Sequence, residues 1–152
     1  MTTTAVFTGT FDPFTIGHAD IVSRALRLFD RLTIAVAVSK LKHAQEEVDR
    51  RVADIRRVYA HEPRVDVVAY ADLTIDLAAR LGASAIVRGV RSVRDFEYER
   101  EQAEVNRRLG GIETVLLMAD PALASVSSSL VRELRFFGRD VSPLLPQSEN
   151  EK

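Results

Sequence analysis

The stretch AVFTGTFDPFTIGHADIVSRALRLFDRLTIAVAV, residues 5–38, carries the pattern on which the fold is read. It opens on residues that are apolar or β-branched, too few for a helix and stopped by Gly9 and Pro13, so a buried strand over 5–8 feeds a loop. After Gly17 the apolar residues Val22, Ala25, Leu26 and Phe29 return at helical spacing. The run 32–38 is then continuous and rich in β-branched side chains, as in a strand covered on both faces. The stretch is a strand, helix, strand unit.

Further along the chain the same alternation recurs. Val48, Val52, Ile55 and Tyr59 stripe a helix, and 65–68 make a strand; a short helix over 75–81 leads to a strand over 85–87. A long polar helix follows over 94–109, then a strand over 115–118, then a helix striped by Leu130, Val131, Leu134 and Phe137 that ends at Gly138. Strands and helices in strict alternation predict an α/β chain: a single-domain, doubly wound, five-stranded parallel sheet with right-handed crossovers. The domain is expected over 1–146, with a polar tail over 147–152. With 152 residues, 46% of them apolar, one substantial core is within reach. The formal charge of −1, with acids and bases interspersed, gives no field to attract nucleic acid or an anionic membrane, so neither is an expected partner. Cysteine is absent, which excludes disulfides and thiolate nucleophiles and suits a reducing compartment. No apolar run approaches the roughly 20 residues of a membrane span, and Met1 to Thr4 enter the first strand without a leader pattern, so a cytoplasmic location is expected.

Ligands of such sheets sit at the carboxyl ends of the strands, which directs attention to the loops 9–18, 39–45, 70–74, 88–94 and 119–129. The first reads Thr8-Gly9-Thr10-Phe11-Asp12-Pro13-Phe14-Thr15-Ile16-Gly17-His18 and sets hydroxyls and an imidazole at the entrance to a helix. Helix N-termini present unpaired N–H groups and partial positive charge, and Gly9 and Gly17 let backbone approach a ligand. A phosphate can dock there, with His18 donating to an oxygen whose charge rises during transfer. Ser39-Lys40-Leu41-Lys42 closes a strand with cations able to bridge two phosphates. Arg88 and Arg91 flank Gly89 and Val90, and the planar guanidinium fork suits phosphate oxygens. The helix over 94–109 holds Asp95-Phe96-Glu97-Tyr98-Glu99 and Asn106 beside a thin apolar stripe. That face either meets a ligand or neighbouring subunit, or is solvated and paired with Arg100 and Arg108. Ser125-Val126-Ser127-Ser128-Ser129-Leu130 places hydroxyls at a helix start, where serine either caps the helix or grips phosphate.

Together these segments resemble the nucleotidyltransferase superfamily. Residues 8–18 resemble its (T/S)-G-(T/S)-F-D-P-x-(T/H)-x-G-H signature, in which the final His lines the α-phosphate of a bound nucleotide. Thr15 stands where members acting on nicotinate mononucleotide, and the cytidylyltransferases, usually carry a first His. A Thr there resembles the phosphopantetheine adenylyltransferases, as do R-G-x-R at 88–91, D-F-E-Y-E at 95–99 and V-S-S-S at 126–129. The likeness implies a Rossmann-like nucleotidyltransferase fold and transfer of the adenylyl group of ATP to 4′-phosphopantetheine, giving dephospho-coenzyme A and pyrophosphate. It implies Mg²⁺ held mainly by the nucleotide's phosphates, with no metal ligands from the protein, and a homohexamer.

The resemblance assigns catalysis to His18 and Lys42, the latter by its distance from His18, with Lys40 as the alternative. It assigns ATP to Thr10, Phe11, His18, Gly89, Val90, Arg91 and Glu99, and to the run Leu123, Ala124, Ser125, Val126, Ser127, Ser128 and Ser129. The phosphopantetheine acceptor falls to Thr10, Lys42, Thr74, Arg88 and Asn106. The chain departs from the family at His43-Ala44-Gln45-Glu46-Glu47, which lacks the usual Pro and Phe, at Val105 in place of Met, and at Leu123-Ala124, where an aromatic commonly precedes the serines. Rival expectations are a sister enzyme with another acceptor and a nucleotide-binding regulatory domain without turnover.

Overall fold

A computed structural model describes residues 1–38 and 45–147 of the chain. Its opening unit is β1 (Thr4–Gly9), α1 (Ile16–Ala25) and β2 (Arg31–Ala37). There follow α2 (Gln45–Val58), β3 (Val65–Tyr70), α3 (Thr74–Leu81), β4 (Ala85–Val90), α4 (Val93–Gly110), β5 (Glu113–Met118), α5 (Ser128–Phe136) and a 3-10 turn at Ser142–Leu144. All strand pairs are parallel, in the order β3-β2-β1-β4-β5. The chain therefore lays β2 and β3 on one side of β1, then crosses through α3 to place β4 and β5 on the other. The direction of winding reverses between β1 and β4, the point at which such sheets take ligands.

Strand alternation divides the core between the two faces. Ala5 and Phe7 of β1 pack with Val22 and Ala25 of α1 and with Val52 and Ile55 of α2. Val6 turns to the other face and meets Leu77, Ala78 and Ile86. Because β1 and β2 are buried on both sides, their central residues are apolar or β-branched, Thr8 and Thr33 being buried among them. α3 and α4 end on the left-handed glycines Gly82 (φ 65°) and Gly111 (φ 64°), whose conformation suits a residue without Cβ.

The register explains where the cleft opens. β1 pairs with β2 along its whole length, to Gly9↔Val36, and β4 pairs with β5 to Val90↔Met118. Between β1 and β4 the ladder stops at Phe7↔Val87. Beyond that pair the two central strands part company, and side chains replace the ladder.

Four expectations need correction. β4 runs three residues past Val87 to Val90, so Arg88 and Gly89 belong to the strand and not to the loop after it. β3 likewise continues to Tyr70. Phe29 lies beyond the end of α1, although it still packs against the core. α5 buries Val131 but stops at Phe136, and Phe137, at its C-cap with φ −90° and ψ 14°, leaves the helical stripe and is 71% exposed.

Candidate active site

The loop from β1 to α1 is built around Phe11. This residue adopts φ 48°, in the left-handed region that side chains seldom enter, and its ring folds back over Gly9. A Cβ at Gly9 would lie 2.9 Å from Phe11 Cζ. Gly9 therefore makes room for an aromatic ring, a role beside that of letting backbone approach a ligand. At Gly17 a Cβ would meet only ordinary contacts, the nearest being Thr15 Oγ1 at 3.4 Å.

Thr15 is the N-cap of α1 and is buried. It and His18 form a reciprocal cap: the Thr15 hydroxyl accepts from the His18 backbone N–H (3.4 Å), and the Thr15 backbone N–H donates to His18 Nδ1 (2.9 Å). A ring nitrogen that accepts from an amide carries no proton, so the proton of the neutral imidazole resides on Nε2. Phe14 stacks on the ring at 5.4 Å, and Phe11 meets it edge-on at 5.0 Å. Burial in this surround, followed by the charges of Arg91 and Arg88, lowers the His18 pKa to about 4. His18 is thus an uncharged Nε2–H donor at neutral pH.

Two consequences are measurable. In an NMR titration the His18 ring signals should hold their neutral positions from pH 7 down to about pH 5 and move only near 4. Movement centred near 6.5 would contradict the geometry. The sign for stability follows from the same displacement: the unfolded chain takes up this proton near 6.5 and the folded chain near 4. The contribution of His18 to stability is complete above 6.5 and is progressively lost as pH falls through that window.

Opposite His18 stand Arg88 of β4 and Arg91, the residue that follows the strand. Arg88 makes a two-pronged pair with Glu99, Nε to Oε2 at 2.9 Å and Nη2 to Oε1 at 2.7 Å. Its Nη1 donates to the Thr8 carbonyl and, at 3.3 Å, to Thr8 Oγ1. The guanidinium so occupies the place where the β1–β4 ladder gives out. Burial opposes the charge on Arg88, but the hydrogen bonds and charge of Glu99 outweigh it, so its pKa is raised. Arg91 is held more loosely: its backbone N–H donates to Asp95 Oδ2 at 3.1 Å, and its Nε lies 3.5 Å from the same oxygen. At Gly89 a Cβ would press on Ile21 Cγ1 at 3.2 Å, which accounts for the small residue there.

The third wall is the start of α5. Ser127 is its N-cap, accepting from the Leu130 N–H at 3.1 Å. Ser128 Oγ donates to the Pro13 carbonyl at 2.7 Å and fastens α5 to the first loop. Ser129 Oγ accepts from Arg132 Nη2 at 3.1 Å, while Arg132 Nη1 reaches the Asp12 carbonyl at 2.6 Å. The N-termini of α1 and α5 therefore both open onto one cleft, and each brings partial positive charge to it.

That cleft measures about 400 Å³. Of the residues expected at the site, Thr10, Phe11, His18, Arg88, Gly89, Val90, Arg91 and Glu99 line it, as do Leu123, Val126, Ser127, Ser128 and Ser129. Ala124 and Ser125 do not; they lie in the turn before α5, and Ser125 is exposed. Thr74 and Asn106 line a second, smaller cavity of about 170 Å³, together with Tyr70, Gln102 and Thr114. The two cavities share Thr8, Arg88, Tyr98 and Glu99. Lys42 and its alternative Lys40 lie outside the described residues. Arg132 and Tyr98 were not anticipated. Arg132 follows Ser129 by three residues on α5, a spacing that puts both on one helix face and was a usable signal.

Comparison with known proteins adds to this geometry. The family profile described as cytidylyltransferase-like matches residues 6–134. A phosphopantetheine adenylyltransferase of Porphyromonas gingivalis is 52% identical over 143 residues, 94% of either chain. That of Phocaeicola vulgatus is 50% identical over 94% of this chain and 95% of its own. That of Methylococcus capsulatus is 47% identical over 96% of this chain and 91% of its own. Among solved structures, a lipopolysaccharide core biosynthesis protein from Thermoplasma volcanium superposes with a TM-score of 0.56 at 19% identity. The match covers 79% of this chain and 98% of that one, and it speaks to the fold alone.

Proposed function

The chain belongs to the phosphopantetheine adenylyltransferase family, within the cytidylyltransferase-like proteins, and from that premise we propose that its cleft transfers the adenylyl group of ATP to 4′-phosphopantetheine. An oxygen of the acceptor's phosphate attacks the α-phosphorus, the bond from that phosphorus to the bridging oxygen of pyrophosphate breaks, and dephospho-coenzyme A and pyrophosphate result. The observation that carries the reading is the convergence on one cleft of two helix N-termini, the Nε2–H of His18 and the guanidinium of Arg91. Such donors, fixed before the substrate arrives, stabilise the charge that gathers on the equatorial oxygens in the transition state. No protein nucleophile takes part.

The acceptor's place is the smaller cavity, with its phosphate at Arg88 and its amide-bearing arm along Thr74 and Asn106. The polar lining of that cavity, with three threonine hydroxyls, two carboxamides and two phenols besides the Arg88–Glu99 pair, supports an arm rich in amides. Lys42 completes the catalytic set in this reading. Mg²⁺ would be held by the nucleotide's own phosphates and would supply neutralisation of the charge on pyrophosphate. Among the described residues no three His, Cys, Asp or Glu side chains gather into a cage for an ion. The acids of the cleft are already engaged: Asp20 with Arg24, Asp95 with Arg91, and Asp120 with the Ala122 N–H. The reading extends to a cytoplasmic homohexamer; exposed Phe96, Val105 and Leu109 along α4 support association between copies.

The test is to incubate the protein with ATP, Mg²⁺ and each of several phosphorylated acceptors while following pyrophosphate. Phosphopantetheine should give dephospho-coenzyme A, and nicotinate mononucleotide should give nothing above background. Transfer to the latter alone, or ATP binding without any transfer, would refute the proposal.

A further inference from the structure

Arg88 and Arg91 flank the same two residues of the chain, yet the structure holds them in different ways. Arg88 donates to both oxygens of Glu99 and to Thr8, while Arg91 meets Asp95 at 3.5 Å with both side chains partly exposed. Asp95 and Glu99 stand one helical turn apart on α4, and only Glu99 is buried, at 6% exposure. Both its oxygens accept from the guanidinium and the residue is buried, so the carboxylate offers a ligand little accessible surface. A bare carboxylate is also a poor neighbour for a polyphosphate, because like charges repel strongly in a shielded cleft. Arg88, for its part, keeps one Nη2 hydrogen without a partner among the described residues, at the wall common to the two cavities.

We infer that Glu99 is a positioning residue for Arg88: it holds the guanidinium across the end of the β1–β4 ladder so that the remaining hydrogen meets the acceptor's phosphate. The inference rests on the adenylyl-transfer reading above and assigns Glu99 to the acceptor side of the reaction, through Arg88, in place of the nucleotide. Losing the carboxylate frees the guanidinium to rotate, and the loss falls on whatever phosphate it was aimed at.

Glu99→Gln tests this by calorimetric binding of three ligands to wild type and variant: ATP, 4′-phosphopantetheine, and pantetheine without its phosphate. Phosphopantetheine should bind about 10- to 100-fold more weakly to the variant, the range expected when a charge-assisted hydrogen bond is lost. ATP and pantetheine should each change by less than about threefold, within the spread of a surface change. A variant damaged in its folding alone would lose all three together, and that result overturns the inference. So does weakening of ATP by as much as phosphopantetheine. Should Glu99→Gln fail to fold, Glu99→Asp keeps the charge but is one methylene too short to reach both guanidinium nitrogens; the same selective loss is expected from it, and an unchanged phosphopantetheine affinity overturns the inference. Failure of the wild type to bind phosphopantetheine at all refutes the parent reading, whereas wild-type binding with an unselective variant refutes the role of Glu99 alone.

Discussion

Replacing His18 with alanine lowers turnover by about 10²- to 10³-fold while ATP affinity stays within a few-fold of wild type, the magnitude seen when one preorganised donor to a developing anion is removed. The split is expected because the Nε2–H of a neutral ring binds a ground-state phosphate no better than water does. Its value grows only as charge concentrates on the α-phosphoryl oxygens. His18→Gln restores an N–H donor without the ring's stacking on Phe14 and is expected to recover part of the rate. Turnover and nucleotide dissociation constants measured side by side decide the matter: equal losses in both would make His18 a simple binding residue.

The second large effect belongs to Arg88. Arg88→Ala leaves the Glu99 carboxylate, whose side chain is 8% exposed, without a cation, and deprives the Thr8 carbonyl of its donor. Breaking a buried pair on one side typically destabilises by about 3–5 kcal/mol. For a chain of this size that corresponds to a fall in melting temperature of roughly 10 °C. Phosphopantetheine binding should be lost in the same variant. The double replacement Arg88→Met with Glu99→Leu removes both charges and fills the space with apolar atoms, so melting temperature should recover while acceptor binding does not. A melting temperature unmoved by Arg88→Ala would show that the pair is solvated and that its burial carries no energetic weight.

The pair also marks the limit of what sequence pattern conveys. β1, α1 and β2 were legible because burial on both sheet faces demands runs of apolar and β-branched residues, and the helix between them demands a stripe of the right period. β4 was legible only as far as Val87. A charged residue and a glycine then interrupt its apolar run, and Arg88 is at home in a strand only because of Thr8, 80 residues earlier, and Glu99, 11 residues later. Periodicity sees neither partner. Phe137 shows the converse error: it falls on the apolar stripe of α5, but a helix that stops at Phe136 cannot carry the next residue inward. The room that Gly9 makes for the Phe11 ring and the reach of Arg132 to the Asp12 carbonyl escaped notice for a related reason, since each is a contact with a residue outside its own element.

The Thr15–His18 cap, by contrast, is local, three residues apart, yet both the cap and the choice of ring nitrogen emerged only from the geometry. Thr10, Gly89, Arg91 and the serines of α5 gather as their places at strand ends and helix starts suggest, whereas Thr74 and Asn106 stand behind the Arg88–Glu99 pair in the smaller cavity.

That shared wall has a bearing on inhibitor chemistry. A compound lodged in both cavities at once crosses Thr8, Arg88, Tyr98 and Glu99 on its way from one to the other. Its joint belongs at the guanidinium and gains from carrying negative charge there, whereas a neutral joint would strand a desolvated donor and forfeit most of the advantage of linking the two halves.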